Sequence, residues 1–424
     1  MGGTFFVGLT GLNASSLAIK NVGNNLANSN TIGYKATNLF FEELRAATTG
    51  GAEAGQGVQP TSTQQVWTQG NIQQSQLATD MAIRGAGFFV VGDNISSEFY
   101  TRAGNFFLNS EGKLVTSDGL YVMGYPIDAN GNINTNTTLV PLDLKPGQVL
   151  PAKTTELIRF VTNLNAEARD GEQFSTTVKV YDTLGVGHAV TVTFTKTANA
   201  NEWDWEVTVP ADSVASPTSA PDPEVLGTGT FTFGPDGRLA DPATDEGSGG
   251  EPNGLLEFTF TPSSGGADVT FKWDLWSDDD PEKSYLTQFR LPSSTSQSYQ
   301  DGKGAGTLSE IIVRGDGMIE GIFSNGETAN LGQIGMALFT SPQNLVRTGN
   351  NLYARTTQSG EPTIGTPATG GRGNIQGNAL ELSNVDIAEE FIKLILFQRA
   401  YQANSRMITT ADQITREAIQ LKQS

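Results

Sequence analysis

Phe5, Leu12, Ile19 and Leu26 recur every seven residues, with Leu9 and Val22 on adjoining positions, so one stripe of a helix over about residues 4–28 is apolar. A second stripe, at Ile392, Leu396, Ala400, Ala403, Met407, Ala411, Ile414, Ala418 and Leu421, advances in steps of three and four. It follows Asp386 and Glu389, which make a capping-box-like start, and it predicts a helix over residues 386–423. At 1.5 Å per residue such a helix reaches roughly 55 Å, more than the shorter N-terminal helix covers, so part of its stripe is expected to need another chain. Stretches rich in Gly, Ser, Thr and Asn, at 48–63 and 356–377, bracket the two helices. The pair therefore reads as a detachable coiled-coil-like module rather than a hairpin buried in its own domain.

Between the ends the pattern has period two, and turn signals such as Asn325-Gly326, Asp316-Gly317 and Ser117-Asp118-Gly119 punctuate it about every ten residues. Val190, Val192 and Phe194 alternate with threonines. Val269, Phe271, Trp273 and Leu275 alternate with Thr270, Lys272 and Asp274, and Trp203, Trp205, Val207 and Val209 repeat the pattern. These strands, with four of the five tryptophans, lie within 146–284, a span marked off by Pro146, Gly147 and Pro151 before it and by Asp278, Asp279, Asp280 and Pro281 after it. The expected fold is thus a mainly β multidomain protein with N- and C-terminal α-helices. Residues 1–30 with 380–424 form the helical domain and 31–75 with 357–379 an extended linker region. Residues 76–145 with 285–356 form a β-core, and 146–284 an inserted antiparallel β-domain. Gly302, Gly304 and Gly306 read as a flexible connector.

Charge sharpens this division. The chain has 26 Lys and Arg against 45 Asp and Glu, a net of −19, and 146–284 holds 8 of the cations and 23 of the anions, a net of −15. An acidic field of that size makes nucleic acid and anionic lipid poor partners, and it places the insert facing water. The absence of cysteine excludes disulfides, thiolate metal sites and a cysteine nucleophile. No run of 18 apolar residues occurs, because Asp386, Glu389, Glu390 and Lys393 interrupt the most apolar segment, so no membrane span is expected. The first cation is Lys20, and no basic n-region precedes an apolar one, so the chain is expected to be cytosolic or exported without a cleaved signal peptide.

Candidate chemistry is sparse. His188 is the single histidine and no G-x-S-x-G elbow accompanies it, so it reads as a hairpin-end residue. Asp128-Ala129-Asn130-Gly131-Asn132 and Asp278-Asp279-Asp280 resemble calcium loops but lack the glycine position and closing glutamate of an EF-hand. No lysine followed by Ser or Thr completes a phosphate loop around Gly302. Paired carboxylates of the glycosidase kind stay open by composition alone. No catalytic, cofactor-binding or metal-ligating residue is assigned.

Two strings change the picture. Asn24-Asn25-Leu26-Ala27-Asn28 with Thr31-Ile32-Gly33-Tyr34-Lys35 resembles the N-terminal signature of the bacterial flagellar rod and hook axial family. Leu380-Glu381-Leu382-Ser383-Asn384-Val385-Asp386 with Gln398-Arg399-Ala400-Tyr401-Gln402-Ala403-Asn404 resembles its C-terminal signature. Residues 84–91 and 100–106 look like the family's β-core, although Ala86 stands where an acidic or polar residue is common. The large insert, together with Val180-Tyr181-Asp182-Thr183-Leu184-Gly185 and Phe323-Ser324-Asn325-Gly326-Glu327, is similar to the hook branch rather than the shorter distal rod branch. The resemblance implies a self-assembling tube, with terminal helices as inner wall, β-core as middle shell and insert as outer shell. It implies a non-enzymatic universal joint in the extracellular flagellum that takes no cofactor and leaves through the flagellar type III channel. Its partners would be further copies of itself, the distal rod protein, the hook cap protein and the hook–filament junction protein. A distal rod-type axial protein and, in another class, a secreted β-rich adhesin or carbohydrate-active protein are the alternatives.

Overall fold

Two long helices lie at the ends of the chain: α1, Gly2–Ala27, and α2, Ile387–Gln423. Helix α2 begins where Asp386 Oδ1 accepts hydrogen bonds from the amides of Ala388 (2.8 Å) and Glu389 (3.1 Å), satisfying two donors that a helix start leaves free. Glu389 and Glu390 put negative charge in the same first turn, where the helix dipole favours it. The computed structural model describes residues 2–44, 47–49, 52–93, 98–128, 131–135, 137–145, 147–217, 222–242, 255–277 and 280–423. Ala129, Asn130, Asp278 and Asp279 of the two calcium-like strings, and the boundary residue Pro146, lie outside the described residues. Among the described residues no helix is long and apolar enough to cross a membrane.

The chain divides into two compact units: Met1–Pro146 with Ser309–Ile322 and Thr328–Ser424, and Gly147–Leu308 with Phe323–Glu327. In the first, the strand Phe88–Gly92 is buried along its whole length, paired with Glu98–Thr101 on one side and with Tyr121–Tyr125 and Met336–Leu338 on the other. Its period-two alternation sends Phe89 and Val91 into one core with Met81, Phe106 and Ile319. Phe88 and Val90 enter a second core with Tyr100, Phe339 and Tyr353. The stretch expected as an extended linker is largely paired strand, and its Thr363–Gly365 joins the sheet of the first unit through Met336–Leu338. Thr37–Glu43 lies against Val58–Gln65, Ile72–Gln74 against Ala379–Glu381, and Met81–Arg84 against Asn374–Gly377. Backbone amides and carbonyls need partners, and Gly- and Ser-rich composition does not cancel that need.

The second unit is a sandwich. One sheet is an antiparallel meander of Gln173–Tyr181, Gly187–Lys196, Glu202–Val209, Glu224–Phe233 and Leu239–Pro242. The other is mixed, with Leu157–Asn165 parallel to Val269–Asp274 and Leu286–Phe289 and antiparallel to Ser294–Gln300. Val190, Val192, Phe194, Trp203, Trp205, Phe231, Phe258 and Trp273 fill the space between the sheets, with Trp205 and Trp273 edge to face at 6.0 Å. Because strands 286–289 and 294–300 belong to this sheet, the unit runs past the expected end at 284 to Leu308.

The glycines expected as a flexible connector are closely packed. A Cβ on Gly302 would stand 2.0 Å from Thr155 Oγ1, and Asn325 Nδ2 donates to Gly304 O at 2.7 Å. His188 sits at a hairpin end as expected, the second residue of its strand, paired with Val180 beside the turn at Asp182–Val186, and it is buried with Nε2 3.2 Å from Asp182 Oδ2.

Candidate functional site

The N-terminal string closes on the C-terminal one through buried polar side chains of the first unit. Asn25 Oδ1 accepts from the Thr37 amide (3.0 Å), the Thr37 hydroxyl (3.1 Å) and the Tyr34 hydroxyl (3.2 Å), while its Nδ2 donates to Thr37 O (2.9 Å) and Glu390 Oε2 (3.2 Å). One amide side chain thereby ties α1, the segment after it and the first turn of α2. Gly33 has φ +68°, and a Cβ there would meet Ala103 N at 2.5 Å, so the bend that carries Tyr34 and Lys35 inward accepts only glycine. Lys35 Nζ then donates to Glu381 Oε1 at 2.7 Å and to Thr68 O at 2.8 Å, with both charged side chains fully buried. Arg102 NH1 reaches the same carboxylate at 3.4 Å, and its NH2 donates to Gly85 O at 2.8 Å. Burial pulls Lys35 and Arg102 below their ordinary pKa values, and the Glu381 charge opposes that pull in each. Asn384 completes the junction, accepting from the Ala36 amide at 2.7 Å and donating to Val66 O at 2.7 Å and Thr68 O at 3.1 Å.

Helices α1 and α2 pack against each other by a face offset from the predicted stripes. Ala18 and Val22 of α1 are buried, and small residues N-terminal to them allow close approach: a Cβ on Gly8 would stand 2.9 Å from the Ile408 side chain and one on Gly11 2.8 Å from that of Asn404. Of the stripe residues, Val22 is buried, Leu12, Ile19, Leu26, Ala400, Met407 and Ala411 are half-buried, and Phe5, Leu9, Ile392, Leu396, Ala403, Ile414 and Ala418 are exposed. The Leu421 side chain lies outside the described ones. Ile392 and Leu396 are each 60% exposed, and Phe6 and Leu17 of α1 and Ile387, Phe391 and Ile395 of α2, which the stripes omitted, are exposed as well. In the first three turns of α2 exposed apolar side chains therefore cover about half of the circumference, and Glu389, Glu390 and Lys393 lie on the other half.

The signature residues split in the same way. Asn25, Gly33, Tyr34, Lys35, Asn384 and Asp386 are accounted for inside the unit, and Ser383 Oγ accepts from the Val385 amide at 3.3 Å. Asn28 donates to Asn24 O at 2.8 Å and closes the end of α1, whereas Ala27 is exposed. Gln398, Arg399, Tyr401 and Gln402 are exposed on α2, where the single chain supplies no reason for them. Glu381, the partner of Lys35, and Arg102, which shares that carboxylate, were present in the quoted strings but carried no local mark. Only two like charges meeting one carboxylate across the fold reveals them.

Four family models match the chain. Residues 6–35 match "Flagella basal body rod protein", 82–151 "Flagellar hook protein FlgE/F/G D1 domain", 149–303 "Flagellar basal body protein FlaE D2 domain" and 376–421 "Flagellar basal body rod FlgEFG protein C-terminal". The flagellar hook protein FlgE of Borreliella burgdorferi is 30% identical over 445 residues, with 99% of each chain covered. That of Salmonella typhimurium is 30% identical over 432 residues, with 99% of this chain and 100% of the other covered. The crystal structure of Helicobacter pylori flagellar hook protein FlgE2 aligns with 73% of this chain and 100% of its own at a TM-score of 0.51 and 17% identity, a likeness of fold.

Proposed function

The chain belongs to the flagellar hook protein FlgE family and is a structural subunit of the bacterial hook, and from that premise we propose that its copies join through the exposed faces of α1 and α2 into a curved, flexible tube that passes torque from rod to filament. The helices form the inner wall, the β-core the middle shell and the acidic insert the outer shell, where polar contacts slide as the tube bends. Its neighbours are further copies, the distal rod protein, the cap protein and the hook–filament junction protein. It reaches its place through the flagellar export channel without a cleaved signal peptide. We assign it no enzymatic role.

The observation that carries this reading is the run of Ile387, Phe391, Ile392, Ile395 and Leu396 left exposed on a helix whose other face is already packed. Covering a side chain of this size contributes about 1.5–3 kcal/mol, repeated in every subunit. Leu396→Asp tests it. An exposed position should leave subunit stability within about 0.5 kcal/mol, so the variant is expected to be exported and folded yet to build no hooks. Normal hooks in electron micrographs would show that this face stays uncovered.

A further inference from the structure

The first unit contains a cavity of about 320 Å³ that the tube reading leaves unused. Trp67, Phe88 and Phe339 wall it, Ala86 stands exposed on its rim, and Arg102 lines it. Arg102 is 4% exposed and its Nε has no hydrogen-bond partner; neither has Trp67 Nε1. Lys35 and Arg102 share the single carboxylate of Glu381, and among the described residues no other carboxylate pairs with either cation, so the cluster beside the cavity carries one positive charge in excess. Aromatic walls with a surplus cation beside them define a site for a carboxylate carried next to an apolar group.

This same chain displays such a pair. In the strand Thr37–Glu43, Phe40 and Glu42 are both exposed on one face, two residues and about 7 Å apart. Resting on the reading of the chain as a polymer subunit, we propose that this cavity receives the Phe40–Glu42 face of a second copy, with Glu42 supplying the missing negative charge to Arg102. A knob on one surface and a cavity on another make a head-to-tail contact, the kind that propagates along a filament instead of closing a dimer.

Charge exchange between the two positions tests it in the full-length chain. Ala86→Asp puts a carboxylate on the rim and Glu42→Lys puts a cation on the knob. Each alone is expected to raise the concentration needed for tube growth about tenfold, and the double variant to restore it, because the new pair attracts. A double variant no better than the worse single one overturns the contact. A second readout uses the cysteine-free background: the thiol of Ala86→Cys should react with a maleimide at least tenfold more slowly in tubes than in free subunits. Equal reactivity means an open cavity, and shielding without charge rescue means a different occupant; either result sinks the proposal. Failure of the unaltered chain to form tubes at all counts against the polymer reading instead.

Discussion

Glu381 holds together four stretches of the first unit, at residues 33–35, 70, 102 and 381. Its carboxylate accepts from Lys35, Arg102 and the Gly70 amide at 2.9 Å, and its backbone oxygen accepts from the Gly33 amide at 2.7 Å. Removing one member of a buried ion pair leaves its partners charged and dry, at a loss of about 3–5 kcal/mol. Glu381→Ala, which strands two cations at once, is expected to lose at least that much, measured by urea unfolding of the full chain. Glu381→Gln, which keeps the acceptor oxygen, should lose less. Equal stability of the two variants and the parent would mean that the junction is held by its neutral amides, Asn25 and Asn384. Those asparagines are legible in the sequence only as members of a recognisable string. Their role as junctions follows from Asn384 standing beside Ala36 and Val66, more than three hundred residues away.

At the scale of elements, both helices were legible to within a few residues, because heptad spacing and the Asp386 cap are local signals. The packed face was not. Hydrophobic periodicity selects the bulkiest stripe, whereas the intramolecular contact uses the small residues Gly8 and Gly11, which let the helix axes approach. Intrinsic preference alone would reward replacing a mid-helix glycine by about 1 kcal/mol. Gly8→Leu should nonetheless destabilise the helix pair by about 1–3 kcal/mol, since its side chain must displace Ile408 and Met407. Thermal melting followed by far-ultraviolet circular dichroism is expected to show an earlier helical transition with the β transition unmoved. A later helical transition would place the contact elsewhere on α1.

In the whole molecule, two carboxyls of the second unit, Asp182 and Asp301, tie stability to pH. Asp182 is buried, which pushes its pKa up, but hydrogen bonds from Ser264, His188 and the amides of Val186 and Leu184 more than reverse that and hold it below the ordinary aspartate value. Asp301 is likewise held low by the amides of Leu157 and Glu156 and by Lys153, against the cost of burial. A carboxylate lowered on folding stabilises fully above its unfolded value of about 3.9, and that stabilisation is lost as pH falls through the folded value. The second unit should therefore lose stability below about pH 4. Asp182→Asn should lower its melting temperature at pH 7, and the gap from the parent should close toward pH 3. A gap that stays constant across that range would show that the carboxylate's charge plays no part.

The sequence by itself determined the two terminal helices, the β character between them, the acidic insert and the family signature, because each is written in neighbouring residues: a period, a cap, a turn pair, a run of charge. Only the tertiary structure decided three further things. The insert ends at Leu308 rather than 284 because the polar strand Ser294–Gln300 has no alternation of its own and gains its place by pairing with residues 158–163. The helices meet along their small residues because close approach depends on what faces them, which spacing does not encode. Lys35 and Arg102 are neutralised in part by one shared carboxylate because folding brings residues 35, 102 and 381 together, and low dielectric makes that meeting count.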